Sequence, residues 1–259
     1  MPQYKMIAAL CRGGGIGFQG VLPWPKLARD MRFFAEMTSS TDVPYNSAVI
    51  MGRKTWDSLP DTAKPLKYRD NIIVSNRKFT SSGDDNVDVD VDPLVAGATG
   101  GVAARNPCIH YIPHIHQIKE TTADYEVAWI IGGASIYEQV IYSNEIYIDE
   151  IYITFVDEHY EFDVAFPLMY QYDSVDEILH LRTNPLNRRL WTWTDAEDVP
   201  KFVSFDTGAY YSVEDVDRDF ISQLTRQSDL TATKERRIPN LRFLHLHLFS
   251  FKTPILYSQ

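Results

Sequence analysis

The chain has 259 residues, 44% of them hydrophobic and 23% charged, an ordinary balance for a soluble globular protein with a real core. Its formal net charge of −10 excludes a protein whose main business is holding nucleic acid, which needs a basic stripe against the phosphates. A small anionic ligand remains open, since a few clustered Arg and Lys residues can hold one locally. The two cysteines, Cys11 and Cys108, read as thiols of a reducing compartment, with one disulfide as the alternative. There is neither a signal-peptide pattern nor an apolar stretch long enough to span a bilayer, so the reading is a cytoplasmic protein with no membrane partner.

In chain order, the first apolar run is Met6 to Leu10. The glycines that follow, Gly13, Gly14, Gly15, Gly17 and Gly20, do not have the G-x-G-x-x-G spacing of an ordinary dinucleotide-binding turn. Leu22-Pro23-Trp24-Pro25 then leads into a predicted helix, with Pro25 placed near its start, where a missing N–H costs nothing. On that helix Leu27, Met31 and Phe34 fall at i, i+4 and i+7 as one apolar stripe, and Asp30 lies on it. A carboxylate facing an apolar pocket must be neutralised, hydrogen-bonded or paired, and a ligand offering two adjacent N–H donors would satisfy it. The alternative is an early-helix acid favoured by the helix dipole.

A second strand, Ser47 to Met51, ends at Gly52, and Arg53, Lys54 and Thr55 open a helix; a third, Asn71 to Val74, ends in Ser75-Asn76-Arg77. Hydroxyls and cations at strand C-termini suit a phosphorylated ligand lying across a sheet edge, although Arg53 and Arg77 also read as solvated surface residues. Residues 80–107 look like an insertion. Within it, Asp88-x-Asp90-x-Asp92 opens like a calcium loop, but Pro93 and Thr99 stand where Gly and Glu are needed, which excludes that site. The strand Val127 to Ile131 runs into Gly132-Gly133 and a helix start at Ala134-Ser135-Ile136-Tyr137. Side-chain-free residues let a ligand approach the backbone at a helix N-terminus, though a plain tight turn has the same pattern.

A further strand is Ile151 to Thr154, and residues 195–238 read as a second insertion. Strands apolar on successive residues are buried on both faces, which predicts an α/β fold around a mostly parallel sheet with flanking helices. Leu241 to Phe251 instead alternates Leu244, Leu246 and Leu248 with His245 and His247, predicting an antiparallel edge strand with one solvated face. His114-x-His116 and His245-x-His247 lack a third metal ligand and read as exposed-strand histidines, so no metal is expected. We read residues 1–259 as a single domain with long loop insertions.

Ile16-Gly17 with Gly20, Leu22-Pro23-Trp24-Pro25, Asp30, Gly52-Arg53-Lys54-Thr55-Trp56, Pro65-Leu66-Lys67-Tyr68-Arg69, Gly132-Gly133 and Thr154, in this order and spacing, resemble the dihydrofolate reductase family. The resemblance runs from residue 5 to Pro167, with a last strand at 241–251. It implies NADPH-dependent reduction of 7,8-dihydrofolate to tetrahydrofolate, with antifolate inhibitors as further ligands. It also implies that Asp30 binds the amino-pyrimidine edge and assists protonation at N5, with Thr154 in its network and Leu22 and Trp24 bordering the reacting ring.

By the same resemblance, Ile7, Ala9, Met31, Phe34 and Leu59 wall the substrate pocket, with Leu66, Ile131 and Tyr137, and Arg69 clamps the glutamate α-carboxylate with its bidentate fork. The loop Ile16 to Trp24 would close over the nicotinamide. Ala9, Ile16, Gly20, Gly52, Lys54 and Asn76 would meet the cofactor, and Arg53, Thr55, Ser75 and Arg77 the adenosine 2′-phosphate. Gly132 and Gly133, with Ala134, Ser135 and Ile136, would lie beside the pyrophosphate, with a cis Gly–Gly peptide. Asp30 stands where animal and fungal members usually have Glu, and Met31 replaces a usual aromatic, a softer wall that would alter antifolate affinity. The insertions, with no thymidylate synthase following, suggest a fungal-type, single-function and monomeric enzyme. The rival readings are the reductase of riboflavin biosynthesis, and a non-catalytic folate-binding or scaffold protein of the same fold.

Overall fold

The computed structural model describes residues 1–40, 45–76, 106–143, 145–167, 170–172, 202–204, 209–215 and 240–251. Twelve strands and four α-helices are described. The first half contributes β1 (Gln3–Cys11), β2 (Gly15–Gly17), α1 (Ala28–Thr38), β3 (Ser47–Gly52), α2 (Arg53–Ser58), β4 (Asp70–Val74), β5 (Ile109–Ile112) and α3 (Ile118–Thr121). The second half contributes β6 (Val127–Gly132), α4 (Ala134–Ile141), β7 (Glu150–Val156), β8 (Val164–Ala165), β9 (Tyr170–Tyr172), β10 (Phe202–Ser204), β11 (Ala209–Asp215) and β12 (Leu241–Phe251). Ten of the strands form one sheet in the order β5-β4-β3-β6-β1-β7-β12-β11-β10-β9.

From β5 to β7 all neighbours are parallel; beyond β7 every pairing is antiparallel. The continuous apolar runs occupy the parallel part, where side chains of alternating residues enter two different cores. On one face Met6, Ile50, Ile72, Ile130 and Ile153 pack with Ile136, Tyr137 and Val140 of α4. On the other, Ile7, Val49, Ile73 and Trp129 pack with Phe33 of α1 and with Leu27, which precedes it. Phe33 is fully buried and meets Phe243 of β12 at 4.6 Å between ring centroids. Truncating it to Ala would cost about 3–5 kcal/mol.

Three expectations change. Pro25 lies three residues ahead of α1, whose N-cap is Leu27, because the chain remains extended there. The deepest line on α1 is Leu27, Asp30 and Phe33, while Met31 and Phe34 are half-buried, so the stripe is rotated by one residue from the expected one. The C-terminal strand begins the antiparallel side of the sheet but does not end it: β11, β10 and β9 continue outward. β10 and β11 fall inside residues 195–238, read as an insertion; most of that segment, and residues 80–105 of the other, lie outside the described residues. On β12, His245 faces protein rather than water, stacked 4.1 Å from Tyr152 and 3.2 Å from Glu150 Oε2.

Candidate active site

α1 runs along the sheet face that carries Ile7 and Val49, and its first turn presents Asp30 to β7. Asp30 is 4% exposed. Its carboxylate accepts a hydrogen bond from the Thr154 hydroxyl and has no cation within ion-pair distance among the described residues. Thr154 is fixed by its position in β7, between Ala9 of β1 and Phe243 of β12. Burial therefore dominates and raises the Asp30 carboxyl from 3.8 to about 6, the Thr154 hydrogen bond acting the other way. The neighbouring Tyr137 phenol, buried and donating to the Ile7 carbonyl at 2.7 Å, is pushed above its ordinary range by burial and then by the Asp30 charge.

Trp24 is also buried, edge-on to Tyr160 with centroids 6.2 Å apart, and its indole N–H finds no acceptor among the described residues. A buried donor of this kind costs about 1–3 kcal/mol unless something satisfies it. The loop before Trp24 is shaped by its own turn: Gln19 and Gly20 both have positive φ, and Phe18 and Val21 exchange backbone hydrogen bonds across them. It is tied to the segment around β8, where Asp163 accepts from the Gln19 N–H at 2.9 Å and donates its own N–H to the Gly17 carbonyl at 3.0 Å. Leu22, expected to border the reacting ring, is 43% exposed.

The other end of α1 holds a second buried charge. Arg69 is 4% exposed; its guanidinium donates to the Thr38 hydroxyl, to Ser39 Oγ at 2.7 Å and to the Lys67 carbonyl at 2.8 Å. It lies over the Phe34 ring at 5.8 Å. Burial, with no carboxylate against it among the described residues, lowers it to about 10. Asp30 and Thr38 are eight residues apart on one helix, about 12 Å along the axis. A negative group thus stands at one end of the helix and a positive one at the other. The polar pair Thr38-Ser39 that orients Arg69 was not anticipated from sequence; its only signal was two hydroxyl residues ending an apolar stripe.

The strand C-termini converge as expected. Gly132 and Gly133 are joined by a cis peptide bond, and Gly132 has φ +102, a conformation that glycine tolerates. A Cβ on Gly132 would come within 2.7 Å of the Tyr137 ring, one on Gly133 within 3.2 Å of Thr55 Oγ1, and one on Gly52 within 3.1 Å of Ile136. Gly133 thus packs tightly against Thr55 of α2 and Gly52 against Ile136 of α4, while at Gly132 the Tyr137 ring leaves no room for a side chain. Ser75 is buried at the end of β4, Asn76 and Lys54 are exposed, and Arg53 is paired with Asp57 one turn along α2 at 2.5 Å. Arg77 lies outside the described residues. Ile7 is buried, and Ala9, Met31, Phe34, Leu59, Leu66 and Ile131 are half-buried on the α1 side of the sheet.

A sequence model of the family described as Dihydrofolate reductase matches residues 3–100 and 98–187. This chain belongs to the dihydrofolate reductase family. A Dihydrofolate reductase of Heliothis virescens is 35% identical over 182 residues, covering 68% of this chain and 88% of that protein. One of Gallus gallus is 30% identical, covering 62% and 76%, and one of Candida albicans 36% identical, covering 52% and 59%. The chain is an enzyme that reduces dihydrofolate to tetrahydrofolate, and the members of the dihydrofolate reductase family generally do so with NADPH.

Proposed function

We propose that Asp30 is the acid of this reductase and that dihydrofolate lies along α1, its pteridine at Asp30 and its glutamate at Arg69. The observation that carries the reading is the buried carboxylate, without a cation partner among the described residues and raised to about 6. Such a group is satisfied by a ligand that brings two N–H donors to it, and it can hold a proton near neutral pH for delivery to N5. Thr154 orients it. Trp24 supplies an indole donor without an acceptor among the described residues, in the same apolar core as Leu27 and Ile7, which favours a polar ligand edge there. Leu22 sits on the loop that would move in to cover the ring. Ile7, Ala9, Met31, Phe34, Leu59, Leu66, Ile131 and Tyr137 would enclose the substrate, and Arg69, already aimed by Thr38 and Ser39, keeps two N–H donors for a carboxylate.

Gly52, Gly132 and Gly133 bring side-chain-free backbone to the ends of the parallel strands, which fits a cofactor lying against that edge. NADPH, when bound, supplies the hydride. Gly132, Gly133, Ala134, Ser135 and Ile136 would hold its pyrophosphate, with Ala9, Ile16, Gly20, Gly52, Lys54 and Asn76 beside it. Thr55, Ser75, Arg77 and Arg53, the last by exchanging Asp57 for phosphate, would hold the 2′-phosphate. We extend the reading to a fungal-type, single-function, monomeric and cytoplasmic enzyme folded as one domain. The single domain is supported by one sheet that draws strands from residue 3 to residue 251.

The test is the loss of NADPH absorbance with dihydrofolate, for wild type and Asp30→Asn. Turnover that falls at least about 100-fold while NADPH still binds supports the assignment. Turnover retained within a few-fold in a folded Asp30→Asn protein rejects it.

A further inference from the structure

The outer edge of the parallel sheet carries a donor cluster that the reduction does not use. β4 and β5 pair in parallel, with Asn71 opposite Ile109 and Ile72 opposite His110. By the two-residue period of a strand, Cys108 and His110 project from the same face, and Asp70 projects beside Cys108 from the neighbouring strand. A carboxylate oxygen of Asp70, the sulfur of Cys108 and an imidazole nitrogen of His110 consequently lie within 4.8 Å of one another. Asp70 is 3% exposed and already oriented: one oxygen accepts from the Cys108 backbone N–H at 2.7 Å and the other from the Tyr125 hydroxyl at 2.9 Å. Each carboxylate oxygen keeps a second lone pair. The start of β5 is held in turn by the Asn71 N–H, which donates to the Cys108 carbonyl at 2.8 Å.

We propose that Asp70, Cys108 and His110 form a zinc-type metal site, independent of the reductase chemistry. One sulfur, one imidazole nitrogen and one carboxylate oxygen form a donor set suited to Zn²⁺ and its transition-metal neighbours, whereas Mg²⁺ and Ca²⁺ select oxygen. Zinc bond lengths of about 2.0–2.3 Å place tetrahedral ligand atoms roughly 3.3–3.6 Å apart. The present cluster, whose ligand atoms lie within 4.8 Å, has to contract by at most about 1.5 Å, which rotation of the half-buried Cys108 and His110 side chains would supply. The Cys108 thiol loses its proton to solvent on binding, and a water completes the fourth position. The hydrogen bonds from Tyr125 and the Cys108 N–H act as the outer support that orients a ligating carboxylate. The cluster lies where β4 and β5 begin, whereas Gly52, Ser75 and Gly132 lie where β3, β4 and β6 end. A metal there pins the edge strand to its neighbour and takes no part in hydride transfer.

The experiment titrates Co²⁺ into the full-length, thiol-reduced protein, followed by Zn²⁺. One equivalent should bring up a thiolate-to-cobalt charge-transfer absorption that Zn²⁺ then bleaches, and Zn²⁺ should raise the unfolding temperature. Cys108→Ser should remove the absorption, and His110→Gln should weaken cobalt affinity at least about tenfold, both with dihydrofolate turnover unchanged. No absorption in the wild type overturns the site. So does an absorption that survives His110→Gln undiminished, since that marks a thiol acting alone.

Discussion

The sheet buries ionisable groups in two contrasting ways. At one end of β7, Glu150 receives Lys5 at 3.0 Å, the Tyr152 hydroxyl at 2.8 Å and His245 at 3.2 Å. Burial pushes that carboxyl up, but these partners together pull it below its ordinary value. Four residues further along the same strand, Thr154 meets Asp30, which has a hydroxyl and no cation among the described residues, and which rises to about 6. Arg69, at the far end of α1, is the matching case of opposite sign, lowered to about 10. An acid kept for the fold is supplied with its counter-charges by the chain. Among the described residues Asp30 and Arg69 are left without them, and in the proposed arrangement each meets one end of the substrate.

The sharpest way to break this comparison is to neutralise each acid in turn. Asp30→Asn should lower turnover at least about 100-fold, while Glu150→Gln should leave it within a few-fold; equal losses would erase the distinction. Arg69→Lys should raise the KM for dihydrofolate about tenfold or more with little change in kcat, because an ammonium cannot reproduce the fork held by Thr38 and Ser39. A fall in kcat with unchanged KM would remove Arg69 from the substrate.

Stability should move the other way. A carboxyl raised from 3.8 to about 6 contributes stability that is present below 3.8 and lost as pH rises through about 6. Asp30→Asn should therefore be the more stable protein at pH 8, by up to about 3 kcal/mol, with the difference vanishing near pH 4. Glu150 is depressed, so its contribution is present above the ordinary 4.5 and lost as pH falls through its lower folded value. Glu150→Gln should cost about 1 kcal/mol at neutral pH, the scale of a half-buried ion pair, and less in acid. Urea unfolding of both variants across this range measures the two slopes.

The parallel half of the fold was legible because its strands are continuous apolar runs: Met6 to Leu10, Ser47 to Met51, Asn71 to Val74, Val127 to Ile131 and Ile151 to Thr154 all became strands. β5 was not, because its sequence, Ile-His-Tyr-Ile, carries half-buried polar residues at the sheet edge. The alternating pattern of β12 gave its limits and direction but not its neighbours, since a His buried by stacking on Tyr152 has the same period as a solvated one. Asp30 was marked by its place on an apolar helix face. The partners of Arg69, and Asp163 tying down the loop at Gln19, come from contacts distant in sequence that no local period encodes.

The most direct measurement is a carbon-13 NMR titration of the Asp30 side-chain carboxyl, assigned by its loss in Asp30→Asn. A midpoint near 6 is the expected result for a buried carboxylate with no counter-charge. A midpoint at or below 3.8 would show that Asp30 is paired or wet, and would contradict the proposal that it is the acid of the site.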